Sequence, residues 1–226
     1  MTNPWLEIPE ADYVGHMSSE EVSQLQALGS IFHAALSLFA PADVLVLGCS
    51  SGNGFEHIDP QVTRRVTGID INPTYLELLA KRFPSTGFEL RLECVDLASH
   101  TLPSDRFDLI HAPLIFEYLD WWELLPRVVC SLRSGGLLSV VLQRPSPSAP
   151  AVSRTKYPSL RKLEPLFRFV QPDALRAQAA QGGLILEDEF RVPLQQQIAL
   201  LVLYLRKPAA EPAVPANGRP SSVLPK

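Results

Sequence analysis

A glycine-rich loop and two acidic residues are the parts of this sequence whose types and spacing could bind a ligand. The four apolar residues 44–47 run directly into the loop Gly48–Gly54, and such a run ending in a turn is typical of a strand buried in a parallel sheet. Asp70 and Asp96 each end a later strand-like segment. Because open parallel sheets bind ligands at the carboxyl ends of their strands, we expect the loop and both acids to meet at one rim.

These groups suit a nucleoside-like cofactor. A carboxylate can accept hydrogen bonds from both hydroxyls of a ribose, which is the role expected of Asp70, and Asp96 could accept one from the amine of adenine. A helix beginning near Asn53 would direct free N–H groups at the ligand. A dinucleotide fingerprint needs glycines at 48, 50 and 53, but Ser50 and Asn53 stand at the last two positions. The spacing therefore disfavours a nicotinamide dinucleotide.

Composition predicts one globular domain and excludes several classes of partner. The chain has 226 residues, 46% hydrophobic and 19% charged, with a net charge of −4, which allows one sizeable core and disfavours nucleic acid and membrane surfaces. Cys49, Cys94 and Cys130 have no metal-like spacing, so we expect reduced thiols and no metal site. The chain shows no signal segment and no apolar run of about 20 residues, so a cytoplasmic protein is expected.

Alternating strand and helix patterns predict a three-layer, Rossmann-like α/β sandwich, with a mostly parallel seven-stranded sheet and one antiparallel strand. The predicted strands are 43–47, 65–70, 88–95, 107–112, 137–142, 184–191 and 197–206, and the predicted helices are 18–39, one from Pro73, 116–132 and 172–181. The last two strands have no helix between them, so we expect a hairpin. The sequence divides into a lid segment 1–17, a domain 18–207 and a Pro/Ala-rich tail 208–226, which is expected to be disordered.

In order and spacing, residues 43–143 resemble the class I S-adenosylmethionine-dependent methyltransferases. The matching stretches are Val44–Gly54 as the cofactor loop, Val66–Asp70 as the ribose motif, Cys94–Leu97 as the adenine motif, Phe107–Ile110 with Phe116–Leu119 as the fourth motif, and Leu132–Leu138 as the turn into strand five. Two positions depart from the family. Val46 stands where an acid is usual, and Ser50 stands where a glycine is usual, so Ser50 needs a negative φ or some strain.

The resemblance implies a set of residues that bind S-adenosylmethionine. Those that would hold its methionine part are Gly48, Cys49, Ser50, Gly52 and Asn53. Those that would hold its adenosine are Asp70, Ile71, Asp96 and Leu97. Ala112 and Pro113 would lie beside the sulfonium, and Tyr13 would cover the cofactor from the lid segment.

The expected activity is methyl transfer to a small molecule. The family's asparagine-proline-proline signature for methylating nucleobases or glutamine is absent, because Ala112-Pro113-Leu114 stands there. No residue is assigned as a catalytic base. The candidates for acceptor binding are His16, Glu117, Tyr118, Arg144 and Tyr157. Two alternatives stay open: an inactive binding or scaffold protein on this fold and, less favoured, a nicotinamide-dependent oxidoreductase.

Overall fold

A seven-stranded sheet in the order β3-β2-β1-β4-β5-β7-β6 forms the centre of the molecule. The computed structural model describes residues 3–145, 156–195 and 198–210. The strands are β1 Asp43–Leu47, β2 Arg65–Asp70, β3 Glu89–Cys94, β4 Phe107–Pro113, β5 Leu132–Pro145, β6 Ile185–Pro193 and β7 Ile198–Arg206. Strands β1 to β5 are parallel, and β7 runs antiparallel to both β5 and β6. The predicted mostly parallel sheet with one antiparallel strand is confirmed.

Helices cover both faces of this sheet. They are α1 Glu10–Met17, α2 Gln24–Phe39, α3 Pro73–Arg82, α4 Trp121–Ser131 and α5 Pro172–Gln181, with short 3-10 helices at Pro4–Glu7, Phe55–His57 and Pro158–Leu163. One buried cluster joins Leu45 and Leu47 to α4 and α5, and the other joins Val44 and Val46 to α2 and α3. Successive strand residues point to opposite faces, so β1 supplies both clusters. Within the described residues, no helix has the length and apolar character needed to span a membrane.

Several predicted element boundaries are wrong. The helix predicted from residue 18 begins at Gln24, because Ser23 takes a left-handed conformation with φ 52° that ends the preceding turn. The helix predicted from residue 116 begins at Trp121, where the Asp120 side chain caps it by accepting a hydrogen bond from the Trp122 N–H at 3.1 Å. No α-helix begins near Asn53, and only the short 3-10 helix Phe55–His57 follows the loop.

The fifth strand also starts earlier than predicted. The predicted turn Leu132–Leu138 lies inside β5, which begins at Leu132 and shifts register against β4 between Phe107 and Leu109. Gly135 has φ 79° there, a conformation that glycine adopts without strain. Gly135 and Gly136 therefore lie at an irregularity in strand pairing and not at a chain reversal.

The segment 3–17 lies over the carboxyl ends of the strands and carries α1. Its contacts with the domain are hydrogen bonds from Tyr75 Oη to the Ile8 carbonyl at 3.0 Å, from Asn72 Nδ2 to the Trp5 carbonyl at 3.0 Å and from Ser51 Oγ to Glu10 at 2.8 Å. The 3-10 helix Pro158–Leu163 supports this segment through Ser159 Oγ, which donates to Asp12 at 2.5 Å. Most of the predicted tail, residues 211–226, lies outside the described residues.

Candidate active site

A cleft of about 920 Å³, open mouth included, lies at the carboxyl ends of the parallel strands under the segment 3–17. Many of the residues predicted to bind ligands line it: Tyr13, Gly48, Ser50, Asp70, Ile71, Asp96, Leu97, Pro113, Glu117 and Tyr118. The glycine loop and both strand-end acids therefore face one cavity. The strand order divides its wall in two. Asp70 ends β2 and Asp96 follows β3, and these two residues define the β2–β3 half. Glu117 and Gln143 define the β4–β5 half.

Other predicted site residues do not line the cleft wall: His16, Cys49, Gly52, Asn53, Ala112, Arg144 and Tyr157. The Cys49 sulfur instead packs on Gly68, whose added Cβ would lie 2.9 Å from it. Ala112 is fully buried in the core inside β4. Arg144 Nη1 lies 3.5 Å from the Val170 carbonyl, and Tyr157 packs on Gly15 of α1. Contacts within the protein therefore occupy the side chains of Cys49, Ala112, Arg144 and Tyr157.

The loop after β1 uses its N–H groups internally. Gly48 N and Cys49 N both donate to the Ile69 carbonyl, at 2.8 and 3.0 Å, and Ser50 N donates to Asp70 Oδ2 at 2.9 Å. The prediction of a helix near Asn53 that directs N–H groups at a ligand is also wrong, since only a short 3-10 helix follows the loop. What these three residues can offer is hydrogen-bond acceptors and the Ser50 hydroxyl. That set suits a donor such as an ammonium group.

Ser50 carries two energetic costs at the cleft wall. Its φ is 49°, a left-handed conformation that costs a non-glycine residue roughly 1–2 kcal/mol. Its hydroxyl is buried and has no hydrogen-bond partner among the described residues, which adds a desolvation cost. The strain anticipated from sequence is present. Strain and an unpaired polar group at one residue are typical of a position held for ligand binding.

Asp70 and Asp96 are placed to accept donors from a ligand. Asp70 is 9% exposed, and its two oxygens accept hydrogen bonds from Ser50 N and from Asn72 N at 2.8 Å. Burial raises the pKa of Asp70, and these hydrogen bonds oppose that rise. Asp96 is half-buried and accepts from Ala98 N at 2.9 Å. A carboxylate oxygen can accept more than one hydrogen bond, so both acids can still bind ligand hydroxyls or amines.

Aromatic rings roof the cleft. Tyr13 stacks on Tyr75 with 6.0 Å between ring centroids, and Trp5 meets Tyr118 edge-on at 5.0 Å. Burial, with the charge of Asp70 beside it, raises the pKa of Tyr13 above its usual range, and burial also raises the pKa values of Tyr75 and Tyr118. These phenols stay protonated at neutral pH, so they can donate hydrogen bonds but do not act as bases.

A buried polar cluster in the β4–β5 half was largely missed from sequence. Glu117 Oε1 accepts from Gln143 N at 2.7 Å, and Gln24 Nε2 donates to Gln143 Oε1 at 3.0 Å. Only Glu117 belonged to the predicted set. Gln24 begins α2 and Gln143 lies near the end of β5, and no local pattern links residues 119 positions apart. Their proximity depends on the tertiary fold.

Part of the cleft wall lies in a region that matches a known protein family. Residues 44–136 match the sequence family described as "Methyltransferase domain", and that range contains the glycine loop, both strand-end acids and Glu117. Residues 44–136 are therefore similar to methyltransferase domains. A trans-aconitate 2-methyltransferase from Agrobacterium fabrum is 35% identical over 96 residues, which are 42% of this chain and 36% of that enzyme. The methyltransferase domain thus matches well under half of this relative's length.

Two solved structures show how widely the methyltransferase fold is shared. The Burkholderia thailandensis 1,6-didemethyltoxoflavin-N1-methyltransferase, solved with 1,6-didemethyltoxoflavin and S-adenosylhomocysteine bound, has a TM-score of 0.61 at 21% identity and covers 92% of each chain. The [4+2]-cyclase SpnF has a TM-score of 0.63 at 14% identity and covers 83% of this chain and 82% of its own. At these identities the likeness concerns the fold alone.

Proposed function

We propose that this methyltransferase domain binds S-adenosylmethionine in the cleft and transfers its methyl group to a small-molecule acceptor. The observation that supports this most directly is the convergence of the glycine loop, Asp70 and Asp96 on one cavity. Their order along β1, β2 and β3 is the order in which the methionine, ribose and adenine parts of the cofactor would lie. The family match over the same residues supports it independently.

The hydrogen-bonding groups of the cleft fit this cofactor. Asp70 would accept the ribose hydroxyls, and Asp96 would accept the adenine amine between the apolar side chains of Ile71 and Leu97, which also line the cleft. The unpartnered Ser50 hydroxyl would bind the polar end of the methionine part. That contact would remove the desolvation cost that Ser50 carries in the free protein.

Positioning is the main contribution that the protein would make. The bound cofactor supplies a methyl group activated by its sulfonium, and an in-line displacement depends chiefly on alignment of the reacting atoms. Tyr13 and Trp5 line the roof of the cleft and would exclude water from it. A roof of this kind leaves room for a small acceptor rather than for a polymer, and the curated relatives are named for a small molecule.

Calorimetric titration of the purified chain with S-adenosylmethionine, S-adenosylhomocysteine and NAD tests this proposal. We expect binding of the first two and none of NAD. Asp70→Asn should weaken S-adenosylhomocysteine binding about 10- to 100-fold, since a buried charged acceptor is lost. Glu77→Gln removes the same charge from an exposed position on α3 and should leave the affinity unchanged.

The alternatives give different results. Heat with NAD and none with S-adenosylmethionine would replace the proposal with an oxidoreductase. Binding of S-adenosylmethionine without release of S-adenosylhomocysteine across a panel of small acceptors would favour a protein that uses the fold without methyl transfer. Unaltered affinity in Asp70→Asn would mean that the ligand does not occupy the β2–β3 half as proposed.

A further inference from the structure

The β4–β5 half of the cleft contains a carboxyl group that its surroundings do not satisfy. Glu117 is 1% exposed. Its Oε1 accepts the Gln143 N–H at 2.7 Å, and its Oε2 has no hydrogen-bond partner among the described residues. Its backbone is fixed as well, because its carbonyl accepts the Arg168 N–H at 2.7 Å. The side chain is therefore held with one oxygen unpaired at the cleft wall.

Burying a carboxyl oxygen without a hydrogen-bond partner is energetically unfavourable unless a ligand supplies that partner. Burial raises the pKa of Glu117 to about 7, against the opposing effect of the Gln143 N–H. Most buried polar groups in proteins have partners, and this one lines the same cavity as Asp70 and Asp96. A ligand group that donates a hydrogen bond or carries positive charge would satisfy the free oxygen and favour its ionised form.

The charges around the cleft point to the same class of ligand. The described wall residues include Asp70, Asp96 and Glu117 but no lysine, arginine or histidine. In the β4–β5 half, a polycarboxylate would therefore meet the carboxyl group of Glu117 with no cation on the described wall to offset the repulsion. The wall near Glu117 is otherwise apolar and aromatic, with Ile115, Tyr118 and Phe167, which suits a planar or hydrophobic body.

We propose that Glu117 Oε2 recognises the amine of a methyl acceptor, and that the acceptor is an alkylamine that bears an aromatic ring rather than a polycarboxylate. This inference rests on the proposed function, which assigns the β2–β3 half to the cofactor and leaves the β4–β5 half to the acceptor. Gln24 and Gln143 position the carboxyl group through their mutual hydrogen bond at 3.0 Å. The chain thus differs in acceptor class from the relatives named for trans-aconitate.

A matched pair of probes tests the charge preference directly. 2-Phenylethylamine and 3-phenylpropanoate have the same ring and nearly the same length but opposite charge, and trans-aconitate adds the polycarboxylate. Each is titrated against the chain with and without saturating S-adenosylhomocysteine, with binding followed by ligand-observed NMR. We expect 2-phenylethylamine to bind at least about 10-fold more tightly than either carboxylate, as expected of a hydrogen bond to a charged group.

Variants test whether Glu117 causes the preference for the amine over the carboxylates. Glu117→Gln should weaken 2-phenylethylamine binding about 10-fold or more while S-adenosylhomocysteine affinity stays within about 2-fold, which also shows that the variant is folded. Glu123→Gln removes a charge from an exposed site on α4 and should change neither affinity. If Glu117→Gln does not fold, Glu117→Asp retains the charge but retracts it by one methylene, and it should weaken amine binding in the same way.

Three results would overturn the inference: tighter binding of either carboxylate, no binding of 2-phenylethylamine, or an amine affinity that survives the loss of Glu117. A fall in S-adenosylhomocysteine affinity alone in Glu117→Gln would place the carboxyl on the cofactor's ammonium group and would also overturn it. Failure of the unaltered chain to bind S-adenosylhomocysteine would instead defeat the proposed function, and the titrations without that ligand keep the two outcomes apart.

Discussion

The two halves of the cleft are built by different means. The β2–β3 half depends on backbone geometry: strand ends place Asp70 and Asp96, and Ser50 N and Asn72 N orient Asp70. The β4–β5 half depends on contacts between distant parts of the chain. The backbone N–H of Gln143 in β5 donates to Glu117, and the side chain of Gln24 donates to the side chain of Gln143. Geometry that arises from the fold itself suits a ligand common to a family. The residues of a cluster drawn from distant parts of the chain can differ between proteins that act on different acceptors.

The largest expected effect comes from the backbone of the glycine loop. Gly52 has φ 84°, and an added Cβ would lie 2.9 Å from Leu79 Cγ. Gly52→Ala should therefore lower the free energy of unfolding by about 3 kcal/mol, from left-handed strain together with overpacking. Urea denaturation measures the loss.

A second glycine separates the two contributions to that loss. Gly183 has φ 83° but nothing within 4 Å of an added Cβ, so Gly183→Ala should lose only about 1 kcal/mol. Equal losses in the two variants would mean that packing against Leu79 does not constrain the loop. Backbone geometry would then constrain the β2–β3 half less than we infer.

The second-largest expected effect is a pH dependence of stability caused by ionisation of Glu117 in the β4–β5 half. The pKa of Glu117 rises from its ordinary 4.5 to about 7 in the folded protein, so the native state binds more protons than the unfolded state between these values. Stability without ligand should fall as the pH rises from about 4.5 to 7 and then level off, with a total contribution of about 3 kcal/mol. Urea denaturation between pH 5 and pH 8 measures this.

Glu117→Gln supplies the comparison for that pH dependence. Its stability should fall less than that of the unaltered chain over the same range, by roughly 2 kcal/mol, because no carboxyl remains to ionise. Glu123→Gln should show the unaltered profile. Identical profiles for the chain and Glu117→Gln would indicate that Glu117 ionises freely in the folded state, and the contrast between the two halves would weaken.

Sequence predicted the β2–β3 half better than the β4–β5 half for a physical reason. The loop and both acids stand at strand ends, where a short local pattern fixes position along the chain, and the parallel sheet brings such ends together. The Gln24–Gln143 contact spans 119 positions and has no local pattern. The helix predicted near Asn53, with free N–H groups directed at a ligand, is replaced by a short 3-10 helix, and Gly48 N and Cys49 N donate to the Ile69 carbonyl of the neighbouring strand.

The errors in helix boundaries have the same origin. Ser18 to Glu21 has the composition of a helix start, yet Ser19 Oγ donates to the His16 carbonyl and closes the end of α1 instead. These residues follow the end of α1, which the sequence does not predict because the lid segment shows no helical pattern. A sequence shows that a residue can cap. The fold decides which helix it caps.

The smallest expected effect is at Ser50, where the loop departs from the family's usual glycine. Ser50→Gly should raise the free energy of unfolding by about 1 kcal/mol, because it removes left-handed strain and an unpaired buried hydroxyl. If that hydroxyl binds the cofactor, the same change should weaken S-adenosylhomocysteine binding about 5-fold. Stability and affinity would then move in opposite directions, and denaturation with calorimetry measures both.

Ser23→Gly provides the control for this last effect. Ser23 has nearly the same φ, 52°, and its hydroxyl donates to the Glu20 carbonyl at 3.1 Å away from the cleft. It should leave S-adenosylhomocysteine affinity unchanged and alter stability by no more than about 1 kcal/mol. If Ser50→Gly instead stabilises the protein without any loss of affinity, the serine hydroxyl does not contact the ligand, and the polar end of the cofactor depends on the loop carbonyls alone.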